Sequence, residues 1–455
     1  MSNAIWMPGY QILSEHIDRD DKVFHVECVT TVDACPKCGV IGRMYRHGTS
    51  SATYQDAPSY GHRVRIDVRV QRWICRECGG TSVQPLPFMD TTRQMTKRCV
   101  DYIAREGVEA TFSALARQVG VHEKTVRMIC HEAFAAKMAD WKVEAPIMLG
   151  MDELMLAGAP RAIFVDIGQR RTIEILPTRK HRPVAYWLDT LPKKDRTHLV
   201  AIDMWRPYRD LVKAFLPNAT VVIDKFHIVR MANQALDRVR NDVRRAGTTV
   251  KARRNPRANR LLMQTGRRNL DPMAIVWLDG MLQNNPLFKA AWSAKEGFYD
   301  IWDAKTRADA ERLYDDWKAS LDPSIQPAFS KLITACTNWR TEIFAYFDYP
   351  ITNAFTENRN GIIKIANRAG RGYSFDAIRA KALLAKPYKI STCICCSREI
   401  PVKGMTQFTY VSPVDGEHVD MPCCGDCRYA FHKFVLPRKN EFDDFVYRYA
   451  TSEAE

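Results

Sequence analysis

Residues 148–154 read MLGMDEL, and Asp152 and Glu153 close an apolar run. They are either a solvated strand end or the first carboxylate of a metal site, and the surrounding pattern has to decide. APIMLGMDEL (145–154), RAIFVDIG (161–168) and RTIEILP (171–177) read as three strands. RPVAYWLDTL (182–191) has helical spacing, and HLVAID (198–203) reads as a buried strand ending at Asp203. YRDLVKAFLP (208–217) reads as a helix, ATVVID (219–224) as a buried strand ending at Asp224, and a long helix starts at Lys225. The order is β-β-β-α-β-α-β-α, with short apolar strands suited to a mixed sheet covered by helices.

That is the strand order of an RNase H-like fold, in which the first and fourth strands lie side by side at the centre. Asp152 and Asp203 would then meet. Adjacent carboxylates repel unless protonated or bridged by cations. Oxygen ligands with room for water suit Mg²⁺, and two such ions about 3.5–4 Å apart can serve a phosphodiester displacement. A third acid should come from a later helix, and Glu357 fits. Asn353, Glu357, Asn360 and Lys364 share one helix face, while Phe355, Ile362 and Ala366 lie on another, expected as its apolar anchor. The bland reading is a set of polar strand ends and a solvated helix face.

Upstream, Cys35-Pro-Lys-Cys38 and Cys75-Arg-Glu-Cys78 are two CxxC pairs, each followed by Gly (Gly39, Gly79). Such knuckles close four thiolates on one structural Zn²⁺. RVRIDVRVQRWIC (63–75) alternates as a half-exposed strand should. A zinc-ribbon-like module is expected, against four unrelated buried cysteines. FSALARQVGVHEKTVRMICHEAF (112–134) has the form of a helix-turn-helix. Ser113 is the expected cap, Leu115, Ala116 and Val119 the apolar face, and Gly120 the turn. Val121, Val126 and Ile129 would pack the second helix, leaving Lys124, Thr125, Arg127 and Met128 outward, where a recognition helix meets DNA. A plain helical hairpin is the alternative.

The chain carries a formal net charge of +15 and fourteen cysteines among 455 residues. That length calls for two to four domains. From Leu236 to Arg268 there are eleven Lys and Arg against two acids, a run suited to phosphate binding or a solvated helix face. No signal peptide and no apolar stretch of about 18 residues is read, so no membrane span and a cytoplasmic location are expected. Near the C-terminus Cys393, Cys396, Cys424 and Cys427 form a second CxxC…CxxC, with Cys395 and Cys423 as substitutes, and suggest a second structural zinc site.

The expected fold class is multidomain α/β. A zinc-ribbon-like module (1–90) and a helix-turn-helix (91–140) precede an RNase H-like core (145–235). A helical insertion (236–345), the last core helix and loop (346–390) and a Cys-rich module (391–455) follow.

The four N-terminal cysteines, the helix-turn-helix, GMDE (150–153), AIDMWRPY (201–208), VVIDKFHIVR (221–230) and TENRNGIIKIANRAGRGYSF (356–375) occur in an order that resembles the ISL-three type of insertion-sequence transposases. The resemblance covers roughly residues 30–385, and its most specific stretches are DKFHI and the segment around Glu357. It implies a DDE transposase that binds the terminal inverted repeats of its element, nicks DNA to free 3′-OH ends and joins them to target DNA. It implies Asp152, Asp203 and Glu357 as the acids holding Mg²⁺ (or Mn²⁺), with Asp224 as an alternative or supporting acid and His227 as a supporting residue. Lys364, Arg368 and Arg371 would contact phosphates. Double-stranded DNA is the implied partner, and a homodimer or larger assembly would hold two ends. A catalytically inactive DNA-binding regulator and a structure-selective nuclease of the same fold are the competing readings. The first of these predicts a broken acid set, and none of the three acids is missing.

Overall fold

The computed structural model describes residues 7–246 and 262–385 and, beyond them, four short strands. The chain divides into two compact units: Met1–Lys142 with Ile363–Ala385, and Val143–Ile362 with Lys386–Glu455.

The first unit is built on a seven-stranded sheet. Its strands are β1 (Tyr10–Asp18), β2 (Asp21–Cys28), β3 (Met44–Ser59), β4 (His62–Cys75), β5 (Thr81–Val83), β6 (Met89–Asp90) and β7 (Met95–Thr96). They run in the order β1-β2-β4-β3-β7-β6, with β5 on β4. The alternation in β4 sets its faces: Val64, Ile66, Val68 and Val70 are buried with Phe24, Val26 and Tyr54. The β3–β4 hairpin turns at Tyr60 (φ 51) and Gly61 (φ 81), two successive left-handed residues.

Helices α1 (Lys97–Glu106), α2 (Phe112–Val119) and α3 (Glu123–Ala139) follow. The cap of α2 is Thr111, whose hydroxyl accepts from Ala114 N at 3.2 Å; Ser113, the expected cap, is already inside the helix. Gly120 ends α2 at φ 84, where a β-carbon would be strained, so the turn falls where the sequence puts it. His122 caps α3 through Nδ1, 3.1 Å from Lys124 N. Val126, Ile129, Leu115, Ala116 and Val119 are buried, and Lys124 and Met128 are exposed.

The second unit holds a five-stranded sheet. β8 (Met148–Leu156), β9 (Ala159–Asp166) and β10 (Arg171–Leu176) form an antiparallel meander. β11 (Leu199–Ile202) and β12 (Thr220–Ile223) add to it in parallel, giving the order β10-β9-β8-β11-β12. Leu149, Met151, Phe164, Val200, Ile202, Val221 and Ile223 are nearly all fully buried, because helices cover the sheet. Those helices are α4 (His181–Thr190), α5 (Arg206–Phe215) and α6 (Lys225–Ala246).

An aromatic-rich helical region follows, with α7 (Pro272–Gln283), α8 (Pro286–Asp300), α9 (Arg307–Ala319), α10 (Gln326–Asn338) and α11 (Arg340–Asp348). Its core is Phe298, Tyr314, Trp317, Phe329 and Phe344. Helix α12 (Ala354–Gly370) returns the chain to the sheet, and α13 (Phe375–Leu384) belongs to the first unit.

The described part of the tail is two antiparallel pairs, β13 (Ile390–Thr392) with β14 (Glu399–Pro401) and β15 (Met405–Val411) with β16 (His418–Cys424). Cys393, Cys396 and Cys427 lie outside the described residues, and Cys424 is the last residue of β16. Among the described residues no helix is long and apolar enough to cross a membrane.

Candidate functional site

Two sets of side chains carry chemistry, one in each unit. In the first, the two CxxC pairs fold as near-copies. Gly39 N donates to Cys35 O (2.8 Å) and Gly79 N to Cys75 O (2.9 Å). Both glycines have positive φ, 74 and 67, which the tight knuckle requires. Cys35 Sγ lies 3.7 Å from Cys78 Sγ, and Cys38 Sγ lies 3.7 Å from Cys75 Sγ. All four sulfurs lie within 4.8 Å of one another, the one group of three or more His, Cys, Asp or Glu so gathered among the described residues. A tetrahedron with Zn–S bonds of about 2.3 Å has edges of about 3.8 Å, so the spacing fits Zn²⁺. Four thiolates leave no open coordination position. Cys35 is already drawn down to about 6 by the backbone amides of Cys38 and then Lys37, which favour the thiolate that zinc needs.

In the second unit the sheet register brings the acids together. Leu199 to Ile202 pair with Met148 to Met151, residue for residue. Asp203 and Asp152 are therefore the next residues on neighbouring parallel strands. Ile223 pairs with Ile202, so Asp224 stands at the same level one strand further out. Glu357 comes from the first turn of α12. His227, in the first turn of α6, joins the set: its Nε2 lies 3.0 Å from Asp203 Oδ1 and 3.2 Å from Glu357 Oε1. Burial, and next the charge of Asp203, push Asp152 up to about 7. His227 is raised above the usual imidazole value, chiefly by its bond to Asp203.

Asp224 is used differently. It is 2% exposed; its Oδ1 accepts from Phe226 N (2.9 Å) and its Oδ2 from Asn353 N (2.8 Å). The carboxylate thus brackets the starts of α6 and α12, where a negative charge suits the helix dipoles. Glu153 is paired with Arg179, and its backbone amide donates to Asp152 Oδ1 at 2.7 Å.

The face of α12 turned to the sheet is not the expected apolar one. Ile362 is half exposed, whereas Asn353, Thr356 and Asn360 are buried. Asn360 Nδ2 donates to Asp152 Oδ2 at 2.6 Å. Gly150 makes this closeness possible, since a β-carbon there would meet Thr356 Oγ1 and Val165 Cγ2 at 2.6 Å. The engagement of Asn360 and Gly150 was missed from the sequence. A signal existed in Gly150 and Asp152 two apart on one strand, with Asn353, Thr356 and Asn360 at helical spacing.

The residues expected at DNA stand as follows. Lys124, Arg368 and Arg371 are exposed, and Thr125 and Lys364 are half-buried. Arg127 is tied within its unit, paired with Glu123 at 2.7 Å and donating to Gly372 O at 3.3 Å.

Chemically, the second set offers carboxylate oxygens with little compensating positive charge beyond one imidazole. Asp152, Asp203 and Glu357 could hold hard divalent cations, whose charge would offset the burial, and next the repulsion from Asp203, that raise Asp152.

Comparison with known proteins bears on both sets. A family model described as a transposase matches residues 149–382, and one described as the zinc-finger of transposase IS204/IS1001/IS1096/IS1165 matches residues 31–78. The transposase for insertion sequence element IS1001 from Bordetella parapertussis is 27% identical over 348 residues, covering 74% of this chain and 85% of that protein. The first match takes in the acid-bearing strands and Glu357 and the second takes in all four knuckle cysteines, so the chain belongs to the ISL3-type transposases.

Proposed function

We propose that the chain cuts and joins DNA at the ends of its own insertion sequence, with Asp152, Asp203 and Glu357 as its metal-holding acids. The carrying observation is the register of β8 and β11, which sets Asp152, inside β8, level with Asp203, just past the end of β11, beside a helix that offers Glu357. The order β10-β9-β8-β11-β12 supports reading this sheet as an RNase H-like core, and α2 and α3 around Gly120 support reading a helix-turn-helix. Asp203 is favoured over Asp224 as the middle acid because it follows the strand beside β8, whereas Asp224 follows the strand one further out and is 2% exposed.

Mg²⁺ or Mn²⁺ held by these acids would polarise the scissile phosphate and favour the deprotonated attacking hydroxyl. The chain's own groups do the rest. Asp152 and Asp203 present oxygens from a rigid sheet, which fixes where the phosphate sits. His227 ties Asp203 to Glu357 and supplies part of the positive charge the cluster lacks. The zinc-ribbon module and α3, through Lys124 and Thr125, read the terminal inverted repeats. The basic run from Leu236 to Arg268, with Lys364, Arg368 and Arg371, grips phosphates. Two ends are held at once, so the working form is a homodimer or larger assembly acting in the bacterial cytoplasm.

The test is incubation with Mg²⁺ and labelled DNA carrying the repeats that flank the encoding gene. Strand joining is the expected result. Cutting without joining would assign a nuclease, and binding without cutting a regulator.

A further inference from the structure

Behind the acids lies a seam of buried polar atoms that the cleavage chemistry leaves unexplained. Asn353 Nδ2 and Oδ1, Thr356 Oγ1 and Asn360 Oδ1 are buried with no hydrogen-bond partner among the described residues. Asn353 and Thr356 are 0% exposed and Asn360 is 5% exposed. The three residues follow one another at helical spacing and face Gly150 and Asp152 of β8. Buried polar groups in native proteins are ordinarily satisfied, and an apolar face would dock a helix at lower cost. A polar seam placed against the strand that carries Asp152 therefore has a task other than packing.

Asn360 shows what that task is. Its Nδ2 donates to Asp152 Oδ2 (2.6 Å), while the Glu153 amide donates to Asp152 Oδ1 (2.7 Å). Each carboxylate oxygen has one fixed donor and keeps lone pairs for the pocket. The carboxylate plane is thereby set from two sides, by a strand amide and by the helix that bears Glu357. The residue type matters. An acid at 360 would add a further negative charge, and a lysine would neutralise Asp152 and compete with a cation. An amide holds a carboxylate without changing the charge of the site. Its buried Oδ1 remains as an acceptor.

We propose that Asn360 is a positioning residue of the active site, fixing the Asp152 carboxylate for divalent-cation binding through a contact that Gly150 makes close enough to form. The inference rests on the metal-dependent reading of the acids given above.

Mn²⁺ affinity, measured by electron paramagnetic resonance on the full chain, is compared for wild type, Asn360→Ala and Asn360→Leu, with Asp152→Asn as reference. Repeat-DNA binding and the metal dependence of cleavage are measured alongside. Both Asn360 variants are expected to bind DNA as wild type does and to bind Mn²⁺ about tenfold or more weakly. Their maximal cleavage at saturating metal should largely recover. The leucine variant matches asparagine in size without donating, so it separates the donor from the volume.

Wild-type Mn²⁺ affinity in both variants overturns the proposal. So does loss of folding in both, which would make Asn360 a packing residue. The two readings fail differently. A wild type that binds Mn²⁺ at an Asp152-dependent site but never cuts DNA overturns the cleavage function, while the affinity comparison still decides the role of Asn360.

Discussion

The cysteine centre and the acid cluster are both places where the chain gathers negative charge, and they do it in opposite ways. Cys35, Cys38, Cys75 and Cys78 sit on two matching knuckles joined by a single hairpin, with all four sulfurs within 4.8 Å. The geometry is closed and tetrahedral, suited to holding a fold. Asp152, Asp203 and Glu357 come from β8, from the end of β11 and from α12, with His227 between two of them. Among the described residues, buried polar atoms around them lack hydrogen-bond partners. Four thiolates suit a closed structural centre, whereas carboxylates that keep lone pairs suit the metal chemistry proposed above.

Four experiments would sharpen or break this contrast. The largest effect is expected from Cys75→Ser. Structural zinc contributes on the order of 10 kcal/mol of folding free energy to small modules, so the N-terminal module should lose zinc and become protease-sensitive. Zinc assay and limited proteolysis measure this, and unchanged metal content would break the structural assignment. Next is Asp152→Asn, which should lower cleavage about 10³-fold or more, corresponding to about 4 kcal/mol, with repeat-DNA binding retained. Gel-shift and cleavage assays on one preparation decide it; binding that fell as far as cleavage would contradict a catalytic role.

Smaller is Gly150→Ala. The new β-carbon would sit 2.6 Å from Thr356 Oγ1 and Val165 Cγ2 and push α12 off β8. A cost of about 1–3 kcal/mol in thermal or denaturant unfolding is expected, with cleavage reduced more than DNA binding. A variant of full stability and activity would show that the close seam is dispensable.

The smallest effect tests a buried charge with its donors filled. Lys381 donates to Gly107 O, to Val108 O (3.1 Å) and to Ala110 O (2.9 Å), at the C-terminal end of α1. Burial lowers its pKa to about 8 from the ordinary 10.5. Between those values the unfolded chain binds more protons than the folded one, so this group's contribution to stability rises with pH through that window. The stability of wild type relative to Lys381→Met should therefore climb from pH 8 to 10, by no more than about 2 kcal/mol since the three carbonyls offset part of the burial. Equal slopes for the two proteins in pH-dependent unfolding would contradict it.

The cysteine centre was legible because its spacing is local: two CxxC-Gly units fold alike wherever they stand. Asp203 was legible as a strand end, whereas β8 runs four residues past Asp152 to Leu156, and the register supplied the adjacency of the two acids. Ser113 was misread as a cap because Thr111, two residues earlier, holds the extended backbone a cap needs. Ile362 was misread as an anchor because periodicity marks a helix face without saying which face meets the sheet. His227 was expected only in support, and its contacts with Asp203 and Glu357 depend on where α6 and α12 converge.

By itself, the sequence determined the zinc knuckles, the order of strands and helices in the second unit, the Gly120 turn and the excess of basic charge. These follow from neighbouring residues, whose chemistry and periodicity act over a few positions. Only the tertiary structure decided that Asp203 stands level with Asp152, that Asp224 is spent on two helix starts, and that Asn360 reaches Asp152. Those facts depend on contacts between residues distant in the chain, more than a hundred positions apart in the Asn360–Asp152 and Asn353–Asp224 bonds, and no local pattern encodes such a distance.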